Sequence, residues 1–184
     1  MTRFKFTFLI FCLNIFFSQL WAQTSEIKEI KQHYYAVSEQ IKNCSKEDVE
    51  LCTIYRNDLI INSNGERTIS WPATGNYIKK ITFWYELAPA HWDENGKSAL
   101  LKIDYSEVYS SNSDNYEFLY KNGYLVFCFY RQKNIGDFRY YFSNGKLIDY
   151  IENTEIEEDT GKKKFSSEIM EQAENLQKLF LTMF

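Results

Sequence analysis

Two stretches of the chain, Tyr116–Phe129 and Phe138–Ile151, repeat each other without a gap at a spacing of about 22 residues. Each stretch consists of an apolar alternating segment, an Asn-Gly pair and a second apolar segment. The pairs Asn122-Gly123 and Asn144-Gly145 supply the two positive-φ residues that a type I′ hairpin turn needs. The repeat therefore predicts two successive antiparallel β-hairpins.

The turns predict which side chains share a face of the sheet, because side chains alternate along a strand. With two-residue loops, Phe118 lies opposite Phe127 and Phe138 lies opposite Ile151. One predicted face is strongly aromatic and should be buried: Tyr116, Phe118, Tyr120, Leu125, Phe127, Phe129, Phe138, Tyr140, Phe142, Leu147 and Ile151. The other predicted face is mixed: Glu117, Leu119, Val126, Cys128, Tyr130, Arg139, Tyr141, Ile148 and Tyr150. Three interpretations of the mixed face remain open: partial cover by a helix, an ordinary amphipathic surface, or a binding surface.

The first 22 residues have the pattern of a secretory signal peptide. Arg3 and Lys5 precede an apolar run from Phe6 to Phe17, and Ala22 is a small residue suited to cleavage. The run is short for a membrane-spanning helix, although an uncleaved anchor is the alternative. We expect cleavage after Ala22, a single domain over residues 23–184, and a periplasmic or secreted protein of a bacterial cell with no transmembrane segment after cleavage.

Charge and cysteine content constrain the partners. The whole chain has a net charge of −4, and loss of Arg3 and Lys5 takes 21 basic residues to 19 against 25 acidic ones. An acidic surface without a basic stripe makes nucleic acid an unsuitable partner. Because an oxidising compartment permits disulfides, we predict that Cys44 pairs with Cys52 and that Cys128 is a buried, inert thiol beside Glu117.

Helical and strand patterns surround the repeat. Glu26 to Cys44 predicts an amphipathic helix with one apolar stripe: Ile27, Ile30, Tyr34, Val37, Ile41 and Cys44. Ser166 or Ser167 can cap a final helix that ends near Thr182. Its apolar side is also continuous: Phe165, Ile169, Ala173, Leu176, Phe180 and Met183. Further strands are predicted at Thr53–Asn62, Arg67–Trp71, Tyr77–Leu87 and Ala99–Tyr109.

These elements predict an α+β fold: an N-terminal helix, a curved antiparallel meander of about seven or eight strands, and a C-terminal helix. The sheet would be a half-barrel, or a flatter, cystatin-like sheet. The hairpin repeat resembles those of MORN-type and YD-type surface proteins over residues 116–151, and this resemblance implies no function.

One loop has the composition of a catalytic site. His91, Asp93 and Glu94 would serve as acid, base or ligand groups in a small hydrolase-like enzyme, although a polar turn explains the same residues. The calcium-loop spacing fails because Gly96 falls too early. Paired His or Cys spacings typical of zinc sites do not occur, so we expect no metal and no cofactor.

A non-enzymatic binding module is the leading functional hypothesis, with an unknown small molecule or protein as its ligand. Aromatic residues of the less buried face are the candidates for contact: Trp84, Tyr124, Tyr130, Tyr141 and Tyr150. A protein–protein interaction or inhibitor-like structural protein is the second hypothesis, and the enzyme with the His91 loop is the third.

Overall fold

The computed structural model describes residues 2–44, 52–64, 67–71, 75–86, 99–109, 112–133, 135–154 and 164–183. Helix α1 spans Thr2–Cys44 and helix α2 spans Lys164–Met183. The strands between them are β1 (Ile54–Ile61), β2 (Ser63–Asn64), β3 (Arg67–Trp71), β4 (Gly75–Glu86), β5 (Leu100–Tyr109), β6 (Asn112–Lys121), β7 (Tyr124–Gln132), β8 (Gly136–Ser143) and β9 (Lys146–Thr154).

The described strands form one antiparallel meander, which confirms the predicted α+β architecture. Strand order follows the sequence from β2 to β9, and β1 pairs with β4 as well. β1 lies along residues 79–86 of β4, whereas β3 lies along residues 75–77 of the same strand edge. The two strands therefore follow one another along a single edge, and the short strand β2 extends from it.

Both Asn-Gly turns have the predicted backbone. Asn122 and Gly123 have φ values of 53° and 78°, and Asn144 and Gly145 have values of 49° and 69°. Positive φ at both central residues defines the type I′ turn, whose twist matches that of the flanking strands.

The predicted register holds for the first two residue pairs after each turn and fails at the third. Tyr120 lies opposite Leu125, as expected, but Leu119 lies opposite Phe127, so Val126 is an extra residue. The second hairpin repeats this β-bulge: Tyr141 lies opposite Asp149, and Ile148 is extra.

Each bulge reverses the faces of all residues that follow it in its strand. Phe118 consequently pairs with Cys128 instead of Phe127, and Phe138 pairs with Glu152 instead of Ile151. The prediction was therefore wrong in placing Phe127, Phe129 and Ile151 on the same face as Phe118 and Phe138, although Phe127 is buried on the other face. It was also wrong in placing Cys128, Tyr130 and Tyr150 on the opposite side, and in making Glu117 the cross-strand neighbour of Cys128.

Helix α2 covers one side of the sheet, here called the α2 face. Its buried residues Ile169, Ala173, Leu176 and Phe180 match the predicted stripe. They pack on side chains that are completely inaccessible to solvent, Phe83, Ile103, Phe118 and Cys128 among them. Tyr120 donates a hydrogen bond of 2.9 Å to the carbonyl of Ala173, and Gln177 donates one of 2.9 Å to the carbonyl of Gly123. Truncation of a core residue such as Phe118 to alanine should cost about 3–5 kcal/mol.

Helix α1 lies on the opposite side, the α1 face. Ile30 and Val37 are buried against Leu119, Phe127 and Tyr141. At one end, the Gln23 amide donates a hydrogen bond to the carbonyl of Ile148 in β9. Further along, His33 Nε2 lies 2.9 Å from the carbonyl oxygen of Tyr120 in β6.

A disulfide between Cys44 and Cys52 then ties the end of α1 to the start of β1, as predicted, with a Cα–Cα distance of 5.3 Å. The helix thus crosses the strands from β9 towards β1, and each face of the sheet carries one helix. Neither helix, within the described residues, combines the length and apolar character needed to cross a membrane.

The burial of Cys128 gives a direct test of this register. Its side chain is fully buried, and burial raises the pKa of its thiol well above the usual range. A chain that begins at Gln23 should therefore show no thiol that reacts with Ellman's reagent in native buffer, and one that reacts in guanidinium chloride. A thiol that reacts rapidly in native buffer would contradict the placement of Cys128 against the α2 core.

Candidate ligand-binding groove

Helix α1 covers only part of the α1 face, and a row of side chains beside it stays partly accessible. The covered row contains Leu119, Phe127 and Tyr141. The next row, two residues further along each strand, crosses the sheet from β1 to β9 and is here called the middle row: Asp58, Thr82, Asp104, Glu117, Phe129, Arg139 and Ile151. Its first four residues are polar, whereas its last three combine an aromatic ring, a cation and an aliphatic chain.

Lys102 bridges two carboxylates in the polar part of the middle row, Asp104 and Glu117. Its Nζ lies 2.9 Å from Asp104 Oδ1 and 2.7 Å from Glu117 Oε2. Burial alone would lower the pKa of Lys102, but the charges of Asp104 and Glu117 outweigh burial and raise it. The Lys102 ammonium is therefore a fixed positive charge rather than a base or nucleophile at neutral pH.

Tyr34 connects this ion-pair network to α1. Its hydroxyl donates a hydrogen bond of 2.8 Å to Glu117 Oε2, and its ring lies 5.3 Å from that of Phe127. Burial and the negative charge of Glu117 raise the pKa of Tyr34 to about 12. The hydroxyl consequently stays protonated and holds the helix at a fixed distance from the middle row.

The β1 end of the α1 face contains its own ion pairs. Arg56 Nε donates a hydrogen bond of 3.0 Å to Asp58 Oδ1, and this contact holds the pKa of Asp58 below its usual range. The Arg56 guanidinium also lies 5.4 Å from the ring of Trp84, whose Nε1 donates a 2.7 Å hydrogen bond to Asp104. The described carboxylates of this half therefore already have partners.

An open groove of about 600 Å3 lies along α1 at the other end of the row. Lys31, Tyr34 and Tyr35 of the helix line one side, and the side chain of Tyr35 is 69% exposed. The floor is formed by Phe129, Arg139 and Ile151, and the far side is formed by Arg131. A groove of this volume suits a small organic ligand.

Phe129 contacts two arginines that line the groove. The guanidinium carbons of Arg131 and Arg139 lie 5.2 and 5.3 Å from the centroid of its ring. Both distances fall within the range of a cation–π contact. Arg131 is held in place by two hydrogen bonds to Asp137, of 2.7 and 2.9 Å, so the far side of the groove is fixed by a bidentate ion pair.

The five aromatic residues predicted from the sequence to bind a ligand do not lie together. Tyr141 is buried beneath α1, with Lys31 5.6 Å from its ring, and lines the groove. Trp84 lies on the same face in the polar half. Tyr130 is buried on the α2 face, where its ring is 4.3 Å from that of Tyr116. Tyr150 is on that face too, 4.9 Å from Tyr140.

Tyr124 is 70% exposed and lies elsewhere, beside a smaller cavity of about 290 Å3 between the two hairpin turns and α2. Leu125, Met170 and Leu181 contribute to this cavity. This cavity shares no lining residue with the groove, so the two are separate concave surfaces. Binding roles for the five aromatic residues stay predictions.

The predicted catalytic loop with His91, Asp93 and Glu94 lies outside the described residues. Among the residues that the structure does describe, no group of three His, Cys, Asp or Glu side chains is placed to hold a metal ion. The sequence did not predict Phe129, Arg139, Lys31 and Tyr35 as residues of a binding site. For Phe129 the reason is the bulge in β7, which moves its side chain from the predicted core face to the α1 face.

Replacement of Lys102 by glutamine should lower the free energy of unfolding by about 2 kcal/mol at neutral pH. Loss of a fully buried partner costs roughly 3–5 kcal/mol, and the effect here is smaller since Asp104 and Glu117 are 37% and 30% exposed. Urea unfolding measures the difference, and Lys121→Gln at an exposed turn removes the same charge as a control.

The raised pKa of Lys102 also determines how the stability difference between the native protein and Lys102→Gln changes with pH. Because the pKa of Lys102 is raised by folding, its contribution is complete below the ordinary lysine pKa and is lost as the pH rises through the higher folded value. The destabilisation by Lys102→Gln should therefore shrink in strongly alkaline buffer. Equal stability of Lys102→Gln and Lys121→Gln at neutral pH would contradict the role of the network.

Comparison with known proteins gives no relative for this chain. No protein-family model, curated protein or solved structure matches it. Its function is therefore inferred from the geometry of the groove.

Proposed function

We propose that the protein is a secreted or periplasmic binding module of a bacterial cell that holds a ligand in the groove beside α1. The observation that carries this proposal is the position of Phe129. Its ring lines an accessible groove of about 600 Å3, and the guanidinium carbons of Arg131 and Arg139 lie 5.2 and 5.3 Å from the centroid of that ring. Such a groove offers an aromatic surface with donors at its edge, the combination that small-molecule sites use for affinity and orientation.

The ionisable groups around the groove support binding rather than catalysis. The pKa of Tyr34 is about 12, so its hydroxyl keeps its proton at neutral pH. The pKa of Lys102 is also raised, by the charges of Asp104 and Glu117. A general base or activated nucleophile needs the opposite shift, towards neutral pH. These groups instead act as fixed charges and donors that keep the helix and the sheet at a constant separation.

Two features support the proposed location. The charged start, apolar run and small residue at Ala22 form the signal-peptide pattern. The Cys44–Cys52 bond suits an oxidising compartment. Gln23, the first residue after the proposed cleavage, still contacts Ile148, so cleavage leaves this contact between α1 and the sheet in place.

Fragment screening by protein-observed NMR tests the proposed site without knowledge of the ligand. Small aromatic fragments should shift the backbone amides around Lys31, Phe129 and Arg139, because hot spots for small molecules lie where apolar floors meet convergent donors. The smaller cavity beside Tyr124 provides an internal comparison. We expect the groove to give more hits and larger shifts than that cavity.

Two matched variants separate the sites. Phe129→Leu keeps an apolar side chain but removes the ring from the groove floor, and it should abolish the shifts in the groove. Tyr124→Leu makes the same kind of change at the second cavity and should leave those shifts unchanged. Hits that cluster around Tyr124, or a complete lack of hits in the groove, would contradict the proposed function.

A further inference from the structure

We infer that the groove beside α1 is selective for a small organic anion, a carboxylate or similar oxyanion on a flat apolar body, with Arg139 as the anion-binding residue. This inference rests on the proposed function, because it names the ligand class of the same site. The supporting observation is that cations outnumber carboxylates among the residues that line the groove, whereas the chain as a whole has a net negative charge.

Glu117, which lines the groove, and Asp137, which lies beside it, already have partners. Glu117 accepts a hydrogen bond of 2.8 Å from Tyr34 and lies 2.7 Å from Lys102 Nζ. Asp137 takes both of its hydrogen bonds from Arg131. The hydrogen bonds of these two carboxylates thus come from Tyr34, Lys102 and Arg131, and none comes from Arg139.

Three cations line the groove, Lys31, Arg131 and Arg139, against one carboxylate, Glu117. Within the described part of the chain, no carboxylate oxygen lies within 4.0 Å of a side-chain nitrogen of Lys31 or Arg139. Both nevertheless have fixed neighbours: Arg139 lies over Phe129 at 5.3 Å, and Lys31 lies over Tyr141 at 5.6 Å. Two cations positioned against aromatic rings, one on the floor and one on the wall, therefore line the same groove.

The chemistry of Arg139 favours a planar anion. A guanidinium that lies against an aromatic ring keeps N–H donors in its plane, and these match the two oxygens of a carboxylate. In the β-sheet register, Arg139 lies between Phe129 on one side and Ile151 on the other. An anion bound to Arg139 would consequently have apolar side chains on both sides for its organic body.

Overall charge favours a small ligand over a large acidic partner. The chain carries a net charge of −4, so a protein with an extended acidic surface would be repelled by most of this one. A single small anion needs only the local positive charge of the groove. The groove volume of about 600 Å3 is also in the range of small-molecule sites.

Isothermal titration with naphthoate and its neutral amide, naphthamide, tests the inference. The two probes have the same ring system and nearly the same shape, and only naphthoate is charged. The native protein should bind naphthoate about tenfold or more tightly than naphthamide, as expected for a charge-assisted hydrogen bond. Naphthoate affinity should fall as salt is raised, whereas naphthamide affinity should not.

Variants assign the preference to Arg139. Arg139→Gln should reduce naphthoate affinity to the level of naphthamide, and Lys121→Gln, which removes the same charge from a distant turn, should leave the preference intact. If Arg139→Gln fails to fold, the salt series on the native protein still tests anion selectivity, because a naphthoate affinity that does not change with salt would overturn it.

Failure of this inference is distinguishable from failure of the proposed function. Equal affinity for both probes, lost in Phe129→Leu, would overturn anion selectivity while leaving the groove as a binding site. Absence of naphthoate binding to the native protein would overturn the inference whatever the fragment map shows. A preference for naphthoate that survives Arg139→Gln would also overturn it.

Discussion

Three strands each contain a β-bulge with one extra residue. Because the extra residue reverses the alternation of side chains, each bulge determines whether the later residues of its strand face α1 or α2. The extra residues are Leu101 in β5, Val126 in β7 and Ile148 in β9. Each follows a leucine that packs with the α2 core, whereas the extra residue itself packs with the α1 cluster. A bulge therefore lets two adjacent apolar residues serve both cores at the covered end of the sheet. The two helices can then lie on opposite faces of a single sheet, each packed on its own apolar cluster.

The position of the groove follows from these bulges. The bulge in β5 puts Lys102 on the α1 face, where it pairs with Glu117, and Glu117 accepts a hydrogen bond from Tyr34 of the helix. The bulge in β7 puts Phe129 on the same face, one row beyond the helix. The residues that hold α1 in place and the residues of the groove floor are thus neighbours in one row, and stability and ligand binding depend on the same local geometry.

The sequence predicted most of the elements because their signals are local. Two Asn-Gly pairs specify both turns, and apolar spacings of three and four specify the packed sides of both helices. The bulges could not be predicted, since the Leu-Val and Leu-Ile pairs fit regular alternation as well as they fit an extra residue. Without the bulges the candidate site could not be predicted, because Phe129 was assigned to the buried face and Tyr130 to the less buried one. Arg139 was assigned to the correct face, but the absence of a carboxylate partner for it among the described residues depends on tertiary contacts that no sequence pattern records.

The register of the two hairpins is the measurement that tests this account most directly. In an NMR spectrum, cross-strand nuclear Overhauser effects between backbone protons report which residues lie opposite each other. We predict contacts between Phe118 and Cys128 and between Phe138 and Glu152. Contacts of Phe118 with Phe127 and of Phe138 with Ile151 would instead show regular hairpins without bulges. That result would place the ring of Phe129 in the α2 core and remove the groove floor on which the proposed function depends.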